Sequence, residues 1–364
     1  MEKEIDIKHQ KVKNFLEESD LNGVIFASQT NFLWLTGGKL NNVIRNNNVS
    51  LVYLLFSKDK RYLIATNSDA DRVMSEELEG LGFELVKYNW YDQNFIDGTK
   101  KTGIKDKIGA DFSGSVYLNV ESEITDIRRN LTNFEIQRYI SFCKDFSRMI
   151  TNYCLNLKKD QTENEIAAGL RYECFKNGIR MPVLLVGSDE RIFKFRHPCF
   201  TNKKTDKYIL IATCAERDGI HANVSRSIYF GKTPAKLLSK QKAVNYVISR
   251  FFAEAVPGKT MIDFFETGKA AYKEAGYPDE WENHLQGGIS GYKPLEYVVN
   301  AISGVRVNER NIMGFNPTIT GAKTEDPILI EKDKSQITVF DDRWPNEEFE
   351  VKGKKFKRPL ILEL

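Results

Sequence analysis

The sequence predicts an α+β protein of two domains, the first with alternating helices and strands and the second rich in strands. Three observations carry this. A chain of 364 residues exceeds one ordinary domain. Over the first 120 or so residues, apolar spacing switches repeatedly between the helical and strand periods. Beyond Gly178 the texture changes to β-branched runs, followed by two helical tracts and then short strands and turns.

In chain order, Ile5, Val12, Phe15 and Leu16 give residues 5–20 helical spacing, and Gly23–Ala27 follows as a short buried strand. Val49–Phe56 and Tyr62–Ala65 are strand-like runs flanking a turn at Lys58-Asp59-Lys60. A helix is predicted from about Asp69 to Leu81, ending at Gly82, and Phe83–Tyr88 returns as a strand. The asparagine-rich segment 41–48 reads as a loop. A long helix is predicted from Asn133 to about Lys158, and the domain boundary is placed near residue 128, giving domains 1–128 and 129–364. Thr162 is the expected N-cap of another helix, with Glu165 at the capping-box position. Val183–Val186, Tyr208–Thr213 and Val224–Phe230 read as strands, and 235–255 and 260–275 as helices.

Composition narrows the classes of function. Hydrophobic residues make up 41% and charged residues 28%, as in a globular protein, which excludes disorder and collagen-like fibres. With 53 Lys+Arg against 50 Asp+Glu, the net charge of +3 offers nothing for nucleic acid or an anionic membrane to read. No apolar run is long enough to span a bilayer, and the charged start Met1-Glu2-Lys3-Glu4 does not read as a secretory signal. The five cysteines contain no CxxC pair, so neither a disulfide framework nor a cysteine zinc site is expected. A reducing cytoplasm fits best. Cys199 and Cys214 are the thiols to watch, against the ordinary case of inert buried cysteine.

The chemistry-bearing residues concentrate in the second domain. Of the four histidines, His197, His221 and His284 lie there, and imidazole suits proton transfer near neutral pH. His197 precedes Pro198, just ahead of a strand. His284 opens the glycine-rich run His284-Leu285-Gln286-Gly287-Gly288-Ile289-Ser290-Gly291, where backbone can approach a ligand closely. Residues 219–226 alternate with strand period, so His221, Asn223 and Ser225 share one face. That face reads either as the wall of a wet cavity or as a solvent-facing strand. Arg191, Arg196 and Arg226 read as arginines that form structural ion pairs or lie in solvent, although an inward-pointing Arg196 would favour a carboxylate-bearing substrate. Phe32 and Trp34 read as core. There is no HExxH, Walker sequence, GxGxxG or GxSxG.

The order of segments resembles the creatinase, prolidase and aminopeptidase P family, with the pita-bread fold. Asn31-Phe32-Leu33-Trp34-Leu35-Thr36-Gly37-Gly38 is similar to its N-terminal "N-x-x-Y-L-T-G", and Asn223-Val224-Ser225-Arg226 to "D-x-T-R". His284–Gly291 is similar to "H-x-x-G-H-G-x-G", Asn316-Pro317 to "E-P", and Lys323-Thr324-Glu325-Asp326 to "R-x-E-D". The resemblance implies an N-terminal creatinase-type α/β domain and a C-terminal domain with a curved, mainly antiparallel sheet covered by helices. It also implies a homodimer.

The departures from the family pattern bear on chemistry. Peptidases of this family hold two metal ions with two Asp, one His and two Glu. The matching positions here are Ala212, Asn223, Gly288, Asn316 and Glu325, so one ligand of the five survives. No metal and no other cofactor is therefore expected. The resemblance to metal-free members implies a hydrolase acting on a C–N bond of a small nitrogenous molecule or short peptide. His197, His284 and Glu325 would be catalytic, with His197 the acid/base and Glu325 pairing with a cationic part of the substrate. His221, Asn223, Asn316 and Arg196 would contact the substrate. The competing expectations are a pseudopeptidase binding a peptide or protein in the old cleft and, behind it, a true Xaa-Pro metallopeptidase.

Overall fold

The computed structural model describes residues 3–41, 43, 49–113, 116–332 and 335–364. Most of the asparagine-rich segment 41–48 lies outside the described residues. Two compact units are present, Met1–Glu135 and Ile136–Leu364, dividing seven residues beyond 128.

The first unit is a six-stranded mixed sheet. Its strands are Gly23–Ser28 (β1), Val49–Ser57 (β2), Arg61–Thr66 (β3), Phe83–Tyr88 (β4), Ile108–Ala110 (β5) and Leu118–Asn119 (β6), in the order β4-β3-β2-β1-β5-β6. The helix at Glu4–Glu18 buries Ile5, Val12, Phe15 and Leu16, the positions that carried its periodicity. The motif around Asn31 builds a helix, Gln29–Thr36, capped by the Ser28 hydroxyl, which accepts from the Asn31 N–H at 3.1 Å. Gly37 ends it with φ +72°, a left-handed cap that glycine adopts at little cost. Asn31 is fully buried, its amide N–H₂ donating to Asp111 (2.7 Å) and Glu121 (3.0 Å). Phe32 and Trp34 are core, as expected.

The predicted helix at 69–81 is shorter and irregular. Ala70–Arg72 is a single α-turn that runs into a π-turn, Val73–Glu77. The Ser75 hydroxyl donates to the Asp71 carbonyl at 2.8 Å and lies 3.2 Å from that of Arg72, competing with the regular ladder.

The second unit holds two sheets. Arg180–Ser188 (β7), Tyr208–Arg217 (β8) and Ile220–Tyr229 (β9) form an antiparallel set extended by the C-terminal strand Leu362–Glu363 (β19), in the order β19-β9-β8-β7. Gly287–Ser290 (β10), Tyr297–Val298 (β11), Ile312–Phe315 (β12), Asp326–Leu329 (β15) and Gln336–Ile337 (β16) form the other, ordered β11-β10-β12-β15-β16. Thr318–Ile319 (β13) pairs with Ala322–Lys323 (β14), and Asn346–Val351 (β17) with Lys354–Pro359 (β18). Backbone bonds from His221 N–H to Gly291 O and from Ser225 N–H to Glu325 O, both 2.9 Å, tie the two sheets together along β9.

Thr162 caps the helix Glu163–Phe175, with Glu165 bonding back to its N–H at 2.7 Å as predicted. The helices Ala235–Glu254 and Met261–Glu274 cover the second sheet. Val244, Ile248, Phe251 and Phe264 pack with Ile289, Met313 and Phe315 in one core, where Phe251 stacks on Phe315 at 4.6 Å. Burying each such side chain contributes about 1.5–3 kcal/mol. Every residue of β9 from Ile220 to Ile228 is buried, so the solvent-facing reading of its polar face does not hold.

Candidate functional site

β9 lies between β8 and the second sheet, and its polar face is dictated by alternation. Cross-strand pairing sets Asn223 beside Cys214 and Ser225 beside Ala212. Asn223 reaches toward β12, where its Nδ2 lies 2.9 Å from where a side chain on Gly314 would begin. Gly314 is in turn paired with Gly288. Three positions singled out in the sequence, Ala212, Asn223 and Gly288, therefore do gather. From the chain beyond β12, the Asn316 side chain comes beside the Glu325 carboxylate and favours its charged form.

Glu325 sits between β14 and β15, buried, with Oε2 3.5 Å from the ammonium of Lys323. Lys323 is itself buried, and the sequence does not mark it as a site residue. It was visible only as the basic member of "R-x-E-D", and nothing local reveals that its side chain turns inward. Its position corrects one expectation: Glu325 is already paired and is not free for a substrate cation. Burial pushes the Glu325 carboxyl up, and the Lys323 ammonium opposes that rise.

His197 and His284, 87 residues apart in sequence, meet with their Nε2 atoms 3.0 Å apart. His284 Nδ1 lies 2.5 Å from the Leu285 carbonyl oxygen. A carbonyl only accepts, so Nδ1 of His284 carries the proton and its Nε2 is an acceptor. His197 must then donate from Nε2, which leaves His197 Nδ1 as a bare acceptor. His284 is 8% exposed, whereas His197 keeps one side open to solvent while its ring packs against His284 at 4.8 Å, which strips water from that side. Burial drives the His284 imidazole down to about 3, helped by Lys323 and His197. His197 is lowered too, by burial first and then by Lys323. The pair is therefore neutral at neutral pH.

The remaining candidates point elsewhere. His221 is buried with Nδ1 3.0 Å from the Gly291 carbonyl oxygen, and burial lowers it against the pull of Glu216. Arg196 donates to Glu280, to Thr320 (2.9 Å) and to Thr318 (3.3 Å), so its guanidinium is held by the protein. Arg191 pairs with Glu163 at 3.1 Å. Arg226 pairs with Asp326 at 2.9 Å, and Arg358 pairs with the other oxygen of that carboxylate. All five cysteines are free thiols. Cys214 is buried, and burial with the nearby Glu325 and Glu216 pushes its thiol well above the usual range, so it is no ready nucleophile.

Residues 8–135 match the creatinase/prolidase N-terminal domain, and residues 142–332 match metallopeptidase family M24. An uncharacterized peptidase of Staphylococcus saprophyticus is 20% identical over 236 residues, 62% of this chain and 67% of that protein. The Xaa-Pro dipeptidase of Bacillus anthracis shares the fold at a TM-score of 0.79 and 15% identity, covering 99% of this chain and 100% of the other. The prolidase of Pyrococcus furiosus does so at 0.75 and 18%, covering 91% and 100%.

Whether a divalent pair suits these residues is decided by the donor set. Ala212 and Gly288 offer no side-chain donor, and Asn223 and Asn316 offer neutral oxygens. The single carboxylate, Glu325, shares its space with an ammonium. Among the described residues no three His, Cys, Asp or Glu side chains group as metal ligands would. The backbone is closed as well: a Cβ on Gly288 would lie 1.9 Å from the Tyr297 carbonyl oxygen. Two divalent ions do not fit this site. Among the described residues no helix is long and apolar enough to cross a membrane.

Proposed function

Taking as its premise that the chain belongs to metallopeptidase family M24, we propose a prolidase-like hydrolase that cleaves a C–N bond without metal. The substrate is a small amide-like compound or short peptide, and imidazole acid–base chemistry replaces the metal-bound hydroxide. The single observation that carries this reading is the bond between His284 and His197, beside Lys323 and Glu325.

The Leu285 carbonyl holds His284 in one tautomer, and His284 holds His197 in the other. The bare Nδ1 of His197 takes a proton from water as the water oxygen bonds to the amide carbon. The C–N bond breaks, and the imidazolium returns that proton to the departing nitrogen. Lys323 supplies positive charge where the carbonyl oxygen becomes negative, in a buried setting that strengthens the effect. Glu325 and Asn316 hold the ammonium and the substrate in place. In this reading His221 and Arg196 shape the walls through Gly291 and Glu280.

Chelator-treated protein, assayed on small amides and Xaa-Pro dipeptides beside a His197→Ala variant, tests the proposal. Hydrolysis that survives the chelator and falls by at least about a hundredfold in the variant is expected. Cleavage that appears only when Mn, Co or Zn is restored would overturn it. Ligand retention with no turnover of any compound would favour a binding protein instead.

A further inference from the structure

Four buried side chains around Glu325 present oxygen atoms without a partner among the described residues: Asn223 Oδ1, Asn316 Oδ1, Ser225 Oγ and Thr324 Oγ1. Their exposures are 5%, 9%, 2% and 1%. Asn223 cannot relieve this by turning over: it donates through Nδ2 to the Pro294 carbonyl at 3.1 Å, which only accepts, so its nitrogen is pinned and its Oδ1 is a bare acceptor. Asn316, beside Glu325, likewise leaves its Oδ1 without a partner. A buried acceptor left unmatched is costly, and such groups mark places that receive donors.

Every carboxylate around these acceptors is already met, and the four cations outnumber the three carboxylates by one. Glu325 is met by Lys323, Asp326 by Arg226 and Arg358, and Glu280 by Arg196. Both neighbouring imidazoles are neutral at pH 7. A guanidinium or ammonium entering here would be buried without a counter-charge. Lys323 has three N–H donors and shares its charge with one carboxylate, which leaves donors for a carbonyl oxygen.

We infer that the site takes a neutral carboxamide or ureido group, its N–H bonds received by Asn223 and Asn316 and its carbonyl oxygen by Lys323. This rests on the hydrolase reading and gives it a substrate class. It excludes the cationic nitrogen compounds that an unpaired Glu325 would have favoured. Asn223 and Asn316 act as specificity-determining residues.

The test is binding, independent of turnover. Saturation-transfer NMR on chelator-treated His197→Gln protein uses acetamide, methylurea, methylguanidinium and methylammonium as probes. Acetamide and methylurea bind, the two cations do not, and Asn223→Leu or Asn316→Leu weakens the neutral probes about tenfold, the loss of one hydrogen bond. Should the leucine variants fail to fold, the isosteric Asn223→Asp supplies a second reading: its added charge shifts preference toward methylguanidinium. Cation binding by the His197→Gln protein, indifference of the neutral probes to every variant, or binding of no probe would each overturn the inference. None of these depends on whether the chain hydrolyses anything, so failure here is separable from failure of the catalytic reading.

Discussion

Lowering the pH from 7 to 5 should destabilise the second unit through His284, by an amount the structure sets. The imidazole titrates at about 3 in the folded protein against an ordinary 6.5. Below pH 6.5 the unfolded chain therefore binds a proton that the folded chain refuses. The stability cost is absent above pH 6.5 and grows as pH falls through the window down to about 3. At pH 5 the gap is about 1.5 pH units, or about 2 kcal/mol at roughly 1.4 kcal/mol per unit. For a unit of this size that lowers Tm by about 4–8 °C. The assay is urea unfolding at both pH values, followed by the fluorescence of Trp281 and Trp344, for the natural chain and for His284→Gln. Glutamine does not titrate, and the lowered His221 and His197, whose shifts come from burial and neighbouring charges other than His284, contribute alike to both proteins. The difference between their pH-dependent losses isolates His284. Equal losses in the two proteins would refute the reasoning that burial, Lys323 and His197 keep this imidazole neutral.

Three further outcomes are expected. If His197 acts as a neutral base, the acid limb of kcat/KM lies below pH 6.5, because burial and Lys323 lower His197; Lys323→Met should move that limb upward in a pH–rate profile. Asp326→Asn removes the carboxylate shared by two buried guanidiniums and should cost about 3–5 kcal/mol in denaturant unfolding. Gly288→His, intended to restore a metal ligand, should instead destabilise the fold by about 3 kcal/mol or more by thermal unfolding, since its Cβ meets the Tyr297 carbonyl.

The motif residues that survive in this chain share a physical trait. Arg226 and Asp326 bond to each other, Asn31 is anchored by Asp111 and Glu121, and Gly37 caps a helix. Their partners lie within the protein, so the fold keeps them whatever the site does. The altered positions, Ala212, Asn223, Gly288 and Asn316, are those whose family partner would be a metal ion. That division is why the fold was legible from scattered motifs while the chemistry was not. Amphipathic helices such as Ala235–Glu254 declare themselves by periodicity. The helix at Gln29–Thr36 does not, because Asn31 through Thr36 are all buried and no polar face marks the period. The inward turn of Lys323 and the meeting of His197 with His284 depend on tertiary approach, which no local pattern records. The holding of Arg196 by Glu280, 84 residues away, is hidden for the same reason.

The measurement closest to the central claim is the metal content of the protein after incubation with Mn, Co or Zn and desalting, with amide and Xaa-Pro hydrolysis assayed on the same samples. The account predicts metal well below one equivalent per chain and hydrolysis that does not change with the ion supplied. Two equivalents retained, with Xaa-Pro cleavage rising in proportion to the metal bound, would contradict it.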